Sequence, residues 1–284
     1  MRRYYKFVLL LLLVEIVQIC LCANSNVPCI EQERQALLEF KSSITPNSPN
    51  NLSSWKGTHC CRWEGIGCDN VTGHVVKLDL RNPCYPSPFQ SRKEVVHCPR
   101  SNAGYYCHFF NFEENIIDKP CLPLFAPNVN PSLLQLEHLT YLDLTGNDFS
   151  WSPIPMFIGS MGRLEYLSLS EARFRGRIPS SIRNLKNLNF LDLGFNFIDL
   201  QMDNDTNSIA GLHSLKHLDL SGVRLNETRN LFQVLNTLPS LLHLSLSYCG
   251  IDNSLIPPYA LQNMTSLVYL DLSYNKLINS FLVA

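Results

Sequence analysis

One short frame of leucines recurs along this chain at a nearly constant step. Leucine, or once valine, stands at the first, fourth and sixth positions of each copy. The seven copies begin at Val75, Leu139, Leu164, Leu188, Leu215, Leu241 and Leu267. From the second copy onward the step is 24–27 residues, and self-similarity at such a period indicates a solenoid, in which stacked repeats bury one continuous core. The frame therefore predicts an elongated stack with one concave face rather than a compact globule.

Each copy also predicts the local structure of its repeat. The fourth and sixth leucines alternate with polar or aromatic residues, as in a strand with one buried face. The period and this alternation are typical of leucine-rich repeats. We predict an α/β solenoid, a leucine-rich-repeat right-handed superhelix with a parallel β-sheet on the concave face and a disulfide-bonded amino-terminal cap.

The ninth position of the frame predicts a second structural feature. Asparagine occupies it in three copies, at Asn147, Asn196 and Asn275, and an inward asparagine can bond the backbone of the turn that leaves the strand. Cys249 takes this position in another copy, where we expect a buried free thiol without special reactivity.

The amino-terminal segment predicts the compartment in which the protein folds. Residues 1–23 carry a basic start, an unbroken apolar run from Phe7 to Val14 and small residues as far as Ala23, as in a cleaved secretory signal peptide. That run is too short to cross about 30 Å of hydrocarbon, and no later segment is long and apolar enough. We therefore expect entry into the secretory pathway and a location outside the cell or at the plasma membrane.

Residues 24–74 do not repeat and are predicted to cap the first repeat. A helix over residues 31–44 would place Leu37, Phe40 and Ile44 on one face. Two tryptophans and four cysteines accompany it. A solenoid must cover the exposed apolar end of its first repeat, and a small polar cap in the secretory pathway can be held together by disulfides.

Residues 75–284 hold about seven leucine-rich repeats, interrupted by a cysteine-containing island at residues 81–132. We expect this island to be a disulfide-tied loop on the solenoid surface. A zinc site formed by His97–Cys98 and Cys107–His108 is the alternative, which we disfavour because adjacent Cys-His pairs cannot easily bind one tetrahedral ion. No metal or other cofactor is predicted. The sequence leaves open how the island cysteines pair: Cys84, Cys98, Cys107 and Cys121.

Charge and sequons describe the expected surface. The formal net charge of −1 gives no reason to expect nucleic acid as a partner. Several N-x-S/T sequons in a secreted chain predict a glycosylated surface. They lie at Asn51, Asn70, Asn204, Asn226 and Asn263.

Two kinds of motif carry a resemblance to a known family. The repeat frame, with a G-x-I-P motif at Gly176–Pro179, resembles the plant-specific leucine-rich repeat. The segment that follows Cys29, together with Trp55, Cys60–Trp63 and Gly65–Cys68, resembles the amino-terminal cap of plant receptor-like proteins. Segments 72–80 and 238–246 are especially similar to the receptor-like proteins that perceive fungal xylanase.

This resemblance implies a function, partners and disulfides. It implies the extracellular ligand-binding ectodomain of a plant cell-surface receptor in defence signalling, without its own kinase. The expected partners are a protein or peptide ligand, including one of microbial origin, and partner receptor kinases. The family cap pattern pairs Cys29 with Cys60 and Cys61 with Cys68.

The carboxyl end departs from the family pattern. Family members carry many more repeats, a carboxyl-terminal cap, a membrane span and a short cytosolic tail. This sequence stops at Ala284, half a repeat after Asn275, so the resemblance implies a chain that is truncated at its carboxyl end and holds no membrane span of its own.

The strand pattern places two rows of side chains on the concave face, where we predict the ligand-binding surface. The third position carries rings that we call the ring ribbon: Tyr141, Tyr166, Phe190, His217, His243 and Tyr269. The eighth position adds a second row: Glu171, Phe195, Tyr248 and Tyr274. Exposed rings in a row are typical of binding surfaces, although the alternative is that they only pack on one another. The two histidines predict binding that changes between about pH 5.5 and 7.

Aspartates at the fifth position raise an enzymatic alternative. Asp192 and Asp219 stand in successive repeats, and their expected separation of about 5 Å is near that of the carboxylates in a retaining glycosidase. An open ribbon does not exclude water, so we expect both carboxylates to stay ionised and solvated or to bind a cation. No catalytic residue is assigned, and the prediction is a protein that is not an enzyme.

A soluble secreted inhibitor of microbial cell-wall-degrading enzymes is the second candidate function. It would resemble polygalacturonase-inhibiting proteins, which share the two-disulfide cap and lack a membrane span. The island and the departures from the G-x-I-P motif favour the receptor family.

Overall fold

The computed structural model describes most of the cap and repeats. These are residues 28–48, 50, 52–82, 85, 123–196, 200–204, 206–257, 260 and 264–277, with the backbone of four strands at 96–97, 100–101, 104–110 and 116–120. The predicted signal peptide lies outside the described residues.

The cap forms around one helix and two stacked tryptophans. Helix α1 spans Glu31–Ser42, and its residues Leu37 and Phe40 are fully buried, as predicted. The helix ends before Ile44, which is half-buried beyond it. The ring of Trp55 packs between Phe40, at 6.5 Å, and Trp63, at 5.4 Å between ring centroids. These rings give a small cap the apolar contacts that its polar loops cannot supply.

Both predicted cap disulfides are present. Cys29 is bonded to Cys60 and Cys61 to Cys68, with Cα atoms 5.5 Å apart in each pair. The bonds tie the start of α1 to a short 3-10 helix at 60–62, and that helix to strand β1, Ile66–Cys68. Strand β1 pairs antiparallel with β2, Val75–Asp79, so the cap continues the sheet of the repeats.

The island contains a small antiparallel sheet where the sequence predicted a loop. Its strands are Val96–His97 (β3), Arg100–Ser101 (β4), Gly104–Phe110 (β5) and Ile116–Pro120 (β6). Strand β5 pairs with each of the other three. The side chains of the island cysteines and histidines lie outside the described part of the chain, so their pairing and the zinc alternative stay open.

The repeats form one sheet whose strands follow chain order. The described repeats after the island contribute Tyr141–Asp143 (β7), Tyr166–Ser168 (β8), Gly176–Arg177 (β9), Phe190–Asp192 (β10), Leu200–Gln201 (β11), His217–Asp219 (β12), His243–Ser245 (β13) and Tyr269–Asp271 (β14). The main sheet has the order β1-β2-β7-β8-β10-β12-β13-β14, and every pair after β1–β2 is parallel. Strands β9 and β11 form a separate parallel pair. Each third-position residue therefore faces the third-position residue of the next repeat, as the frame predicted.

The leucines of the frame form the continuous core. From Leu142 to Leu246, every leucine at the fourth and sixth frame positions is fully buried. Short 3-10 helices at 156–160 and 180–184, and helix α2 at Leu231–Leu235, close the opposite side of three repeats. In the last copy Leu270 and Leu272 are only half-buried, because no described repeat packs against them.

The predicted bonds from the ninth-position asparagines are confirmed in three repeats, and we call this set of bonds the asparagine ladder. The amide nitrogen of Asn196 donates to the carbonyl of Leu169 at 2.7 Å in the preceding repeat and to Leu193 at 3.0 Å in its own. Asn147 and Asn275 make the equivalent pair of bonds. Each amide satisfies buried carbonyls at the turn, where an unpaired group would cost about 1–3 kcal/mol.

Within the part of the chain that the structure describes, no helix combines the length and apolar character needed to cross a bilayer.

Candidate functional site

The ring ribbon exists as a stack of rings along the concave face. Ring centroids of Tyr141 and Tyr166 are 4.1 Å apart, those of Tyr166 and Phe190 are 4.3 Å apart, and those of Phe190 and His217 are 4.2 Å apart. The rings in these pairs are within 11° of parallel. Farther along, His243 is tilted by about 32–33° against both neighbours, at 5.7 and 6.1 Å. The spacing follows from the strand separation of about 4.8 Å in the sheet.

The expectation of a fully exposed ribbon is wrong at its centre. Tyr166 is 7% and Phe190 4% exposed, because each ring lies between two parallel neighbours that cover both faces. His243 and Tyr269 are exposed, and Tyr269 shows 40% of its surface. Contact area for a partner is therefore greatest at the end of the ribbon, whereas the centre stabilises the sheet.

Burial also corrects the predicted pH response of the ribbon. Burial is the main cause that lowers the pKa of His217 to about 4, and the nearby His243 lowers it further. His217 is therefore neutral between pH 5.5 and 7, so its titration cannot produce the pH effect that the sequence predicted in this range.

A row of hydrogen-bonded polar groups lies beside the ribbon. The carboxylate of Asp143 is buried and accepts hydrogen bonds from the hydroxyls of Tyr141 at 3.2 Å and Tyr166 at 3.3 Å. Its other oxygen accepts from the backbone N–H of Thr145 at 3.0 Å. The guanidinium Nε of Arg81 approaches it to 4.0 Å. These contacts explain how an aspartate can stay buried under the rings.

The two aspartates that raised the enzymatic alternative are neighbours in adjacent strands. Asp192 accepts from Ser170 Oγ at 2.8 Å and from the backbone N–H of Gly194 at 2.9 Å. Asp219 accepts from the backbone N–H of Ser221 at 2.8 Å. Burial raises the pKa of both carboxyl groups, and the charge of Asp219 raises that of Asp192 further. Both carboxyl groups are half-buried and hydrogen-bonded to the protein rather than only solvated, and the predicted alternative of a bound cation stays a prediction.

A cavity of about 150 Å³ opens on the concave face where these groups meet. Its wall combines carboxyl groups, hydroxyl groups, one guanidinium and two aromatic rings. The lining residues are Arg81, Tyr85, Asp143, Thr145, Ser168, Ser170, Glu171, Asp192, Phe195 and Asp219.

Sequence reasoning missed some residues of this wall and one glycine beside it. Arg81, Thr145, Ser170 and Gly194 all stand at the seventh frame position, and none of them was predicted as a site residue. The signal was available, because the seventh position alternates onto the same face as the third and fifth. Only the structure shows that Arg81, Thr145 and Ser170 line a cavity together with Asp192, and that Gly194 lies beside it, next to Asp192 and Asp219.

The eighth frame position has an unusual backbone. Glu171, Phe195, Tyr248 and Tyr274 have φ between 50° and 56°, in the left-handed region, while the same position is glycine in two other repeats. A side chain in this conformation costs roughly 1–2 kcal/mol relative to glycine. Phe195 is 43%, Tyr248 56% and Tyr274 72% exposed, and the last two rings stack at 4.3 Å. Strained positions that carry exposed rings are the strongest structural indication of a contact surface in this row.

Glu171, the fourth member of this row, is a partly buried carboxyl group. Burial raises its pKa to about 7. Its side chain has no hydrogen bond or ion pair with any residue that the structure describes. This carboxyl group therefore bears a desolvation cost that no described contact offsets.

The remaining sequence predictions concern single residues. Cys249 is a buried free thiol as predicted, and burial raises its pKa to about 12. Asn70, Asn204 and Asn226 are exposed, as a glycosylated residue must be. The sequons at Asn51 and Asn263 lie outside the described residues.

Two family descriptions match the sequence. The leucine rich repeat N-terminal domain matches residues 30–69, which is the cap. The Leucine Rich Repeat matches residues 138–161 and 163–185, which cover two of the predicted copies.

Sequence relatives are plant receptor-like proteins. Receptor-like protein EIX1 of Solanum lycopersicum is 38% identical over 216 residues, which are 75% of this chain and 18% of that protein. Receptor-like protein EIX2 of the same species is 42% identical over 156 residues, which are 55% of this chain and 12% of that protein. The chain therefore spans less than a fifth of the length of these relatives.

Solved structures share the fold. The PEPR1–AtPEP1 structure aligns with a TM-score of 0.57 at 23% identity, over 87% of this chain and 29% of that one. The ectodomain of the Arabidopsis receptor kinase HAESA, solved with an IDA peptide hormone ligand, aligns with a TM-score of 0.56 at 24% identity, over 87% of this chain and 38% of that one. Together with the strand register and the cap disulfides, these matches identify the chain as a leucine-rich-repeat protein whose sequence relatives are the plant receptor-like proteins.

Proposed function

We propose that this chain is part of the extracellular ligand-binding ectodomain of a plant cell-surface receptor-like protein that acts in defence signalling. The ligand is a protein or peptide, and a microbial protein is the first candidate because the sequence resembles receptors that perceive fungal xylanase. Signalling passes through partner receptor kinases, since the proposed receptor has no kinase of its own.

One observation supports a binding role above the others. The eighth-position row places Phe195, Tyr248 and Tyr274 on the surface in a backbone conformation that favours glycine. Stability alone would favour glycine there, as in the two repeats that have it. Large exposed rings are instead what a protein-binding surface requires, because they bury much area for little loss of side-chain entropy.

The site chemistry favours binding over catalysis. The carboxyl groups of Asp192 and Asp219 are held by backbone N–H donors and lie in an open groove of the sheet. A glycosidase needs one carboxyl group that protonates a leaving group and a second that attacks or activates water on the other side of the sugar. Two neighbours in one column present both groups on the same side, which suits recognition of a ligand better than cleavage.

A secreted inhibitor of microbial cell-wall-degrading enzymes is the second candidate. The concave surface and the disulfide-bonded cap support it equally well. The two functions differ in the step after binding, because an inhibitor blocks its target enzyme directly, whereas a receptor needs partner kinases.

A chimera tests the receptor function. Residues 24–277 replace the matching segment of tomato receptor-like protein EIX2, and the chimera is produced in leaves that lack this receptor. Fungal xylanase is then applied, and the burst of reactive oxygen is measured at equal surface levels of chimera and parent. We expect a response that is lost when Phe195, Tyr248 and Tyr274 are replaced together by glycine.

Inhibition assays separate the second function. The secreted chain is mixed with fungal polygalacturonase and with fungal xylanase, and the release of reducing sugar is followed. Stoichiometric inhibition together with a silent chimera at full surface level would reject the receptor function in favour of the inhibitor.

A further inference from the structure

Beside the ring ribbon, the carboxyl groups of two aspartates approach the position that a Cβ atom of Gly194 would take. A Cβ atom built on Gly194 would lie 3.2 Å from Oδ1 of Asp192 and 3.1 Å from Oδ1 of Asp219. Both carboxyl groups thus face the same space, which is open because this repeat has glycine at the seventh position. A neighbouring ring, Phe195, forms one side of the same cavity and is 43% exposed.

The charges of the cavity wall are unbalanced. Four carboxyl groups line it, those of Asp143, Glu171, Asp192 and Asp219. Among the described residues that line it, Arg81 is the only cation, and its Nη2 is bonded to Asp79, outside the cavity, at 2.7 Å. The wall is therefore complementary to a positively charged group.

Three carboxyl groups of the wall lie where their ionised form is disfavoured. The side chain of Glu171 has no hydrogen bond or ion pair with any described residue, although burial raises its pKa to about 7. Asp192 and Asp219 lie side by side in neighbouring strands and are both half-buried, which disfavours two negative charges. A cation placed between them would offset both costs, because an opposite charge within about 4–6 Å favours the ionised form of a carboxyl group.

We propose that this cavity binds the guanidinium group of an arginine side chain in a peptide or protein ligand. The inference rests on the proposed binding function and names the chemistry of one contact. A planar guanidinium can donate to two carboxylates at once, and its face can lie on an aromatic ring. Asp192 and Asp219 accept its N–H groups across the space above Gly194, and Phe195 provides the ring. A lysine ammonium is a point charge that cannot use all three features together.

The test uses small probes and the secreted chain, so it does not depend on the natural ligand. The probes are Nα-acetyl-arginine amide, its neutral isostere Nα-acetyl-citrulline amide and Nα-acetyl-lysine amide. Saturation-transfer NMR gives the affinity of each probe for the secreted parent chain. We expect millimolar binding of the arginine probe and at least fivefold weaker binding of the other two.

Two variants and a matched control locate the contact. Asp219→Asn removes one charge but keeps the acceptor for the N–H of Ser221, and Gly194→Ala fills the space at a φ that alanine tolerates. The control is Asp271→Asn, which stands at the same frame position in the last repeat, keeps the equivalent bond to Ser273 and lies outside the cavity. Each cavity variant should weaken arginine binding at least fivefold, and the control should leave it unchanged.

The outcomes separate this inference from the proposed function. Equal binding of arginine and citrulline, no saturable binding of arginine, or no effect of Gly194→Ala in a variant that melts like the parent would overturn the site. Arginine binding with a silent receptor chimera would keep the site and reject the receptor function. A signalling chimera without arginine selectivity would reject the site alone.

Discussion

The thiol of Cys249 donates to the carbonyl oxygen of Leu220, with Sγ and O 3.1 Å apart. Leu220 is the sixth-position leucine of the preceding repeat. The amides of Asn196 and Asn275 donate to the equivalent carbonyls of the repeats that precede theirs, those of Leu169 and Leu246. The thiol thus replaces one of the hydrogen bonds that an asparagine makes at this position. It does not replace the bonds that an asparagine side-chain oxygen accepts from backbone N–H groups of the preceding repeat. Its burial in the core explains why this cysteine is inert rather than reactive.

Replacement of Cys249 is expected to show how much the asparagine ladder contributes to the free energy of unfolding. Cys249→Asn can restore the amide bonds and should raise the free energy of unfolding by about 1 kcal/mol. Cys249→Ala removes the bond from the thiol but leaves the Leu220 carbonyl with its bond from the N–H of Val223 at 2.9 Å, so it should lower the free energy of unfolding by about 1 kcal/mol. Urea denaturation of the secreted chain measures both. Equal stability of the two variants would show that a second donor to the Leu220 carbonyl adds nothing to its bond from Val223.

The junction between cap and repeats depends on one buried carboxylate. Glu33 on α1 is 3% exposed, accepts from the backbone N–H of Val75 at 2.7 Å and lies 2.9 Å from Nδ1 of His74. Glu33→Ala should lower the free energy of unfolding by roughly 2–4 kcal/mol, because it leaves the N–H of Val75 unpaired and opens a cavity. The matched control is Glu39→Ala, an exposed residue of the same helix, which should change stability by less than about 0.5 kcal/mol. A similar loss in both variants would contradict this role.

The left-handed eighth position should reverse the usual ranking of alanine and glycine. Tyr248→Ala and Tyr248→Gly remove the same ring and its stacking on Tyr274, but only glycine adopts φ 55° without strain. We expect the glycine variant to be the more stable one by about 1 kcal/mol. Thermal unfolding of the two proteins decides this. If the alanine variant is as stable as the glycine variant or more stable, the strain argument is wrong.

Stability should depend on pH through Glu171. Its pKa is about 7 in the folded protein against an ordinary value of 4.5. Between these pH values the folded protein holds the proton that the unfolded chain has lost, so stability is full below about pH 4.5 and decreases as the pH rises to about 7. Glu171→Gln should remove this dependence, so that the stability difference between parent and variant changes by roughly 1–2 kcal/mol over the window.

A control in the same repeat makes the pH test specific. Glu165→Gln changes an exposed carboxyl group at the start of β8 and should follow the parent at every pH. Urea denaturation at pH 4.5, 5.5, 6.5 and 7.5 gives the required curves. Parallel curves for Glu171→Gln and the parent would mean that Glu171 titrates normally.

The sequence by itself determined the architecture. The spacing of the leucines specified the strands and their order, because a repeat of this length can bury its apolar face only against its neighbours. The same alternation placed the ring ribbon in one column, and the positions of Asn147, Asn196 and Asn275 predicted the ladder. The cap disulfides came from the resemblance of the motif around Cys29 and Cys60 to a known cap.

Only the tertiary structure decided which of these side chains remain accessible and charged. Stacking buries Tyr166 and Phe190, and burial keeps His217 neutral, although frame position alone made all three look like equal members of a surface row. The cavity beside Gly194 depends on side chains from several repeats and on the absence of one Cβ atom. The exposure of a side chain, its pKa and the cavities around it arise from contacts between repeats. The sequence frame describes each repeat separately and therefore does not predict these contacts.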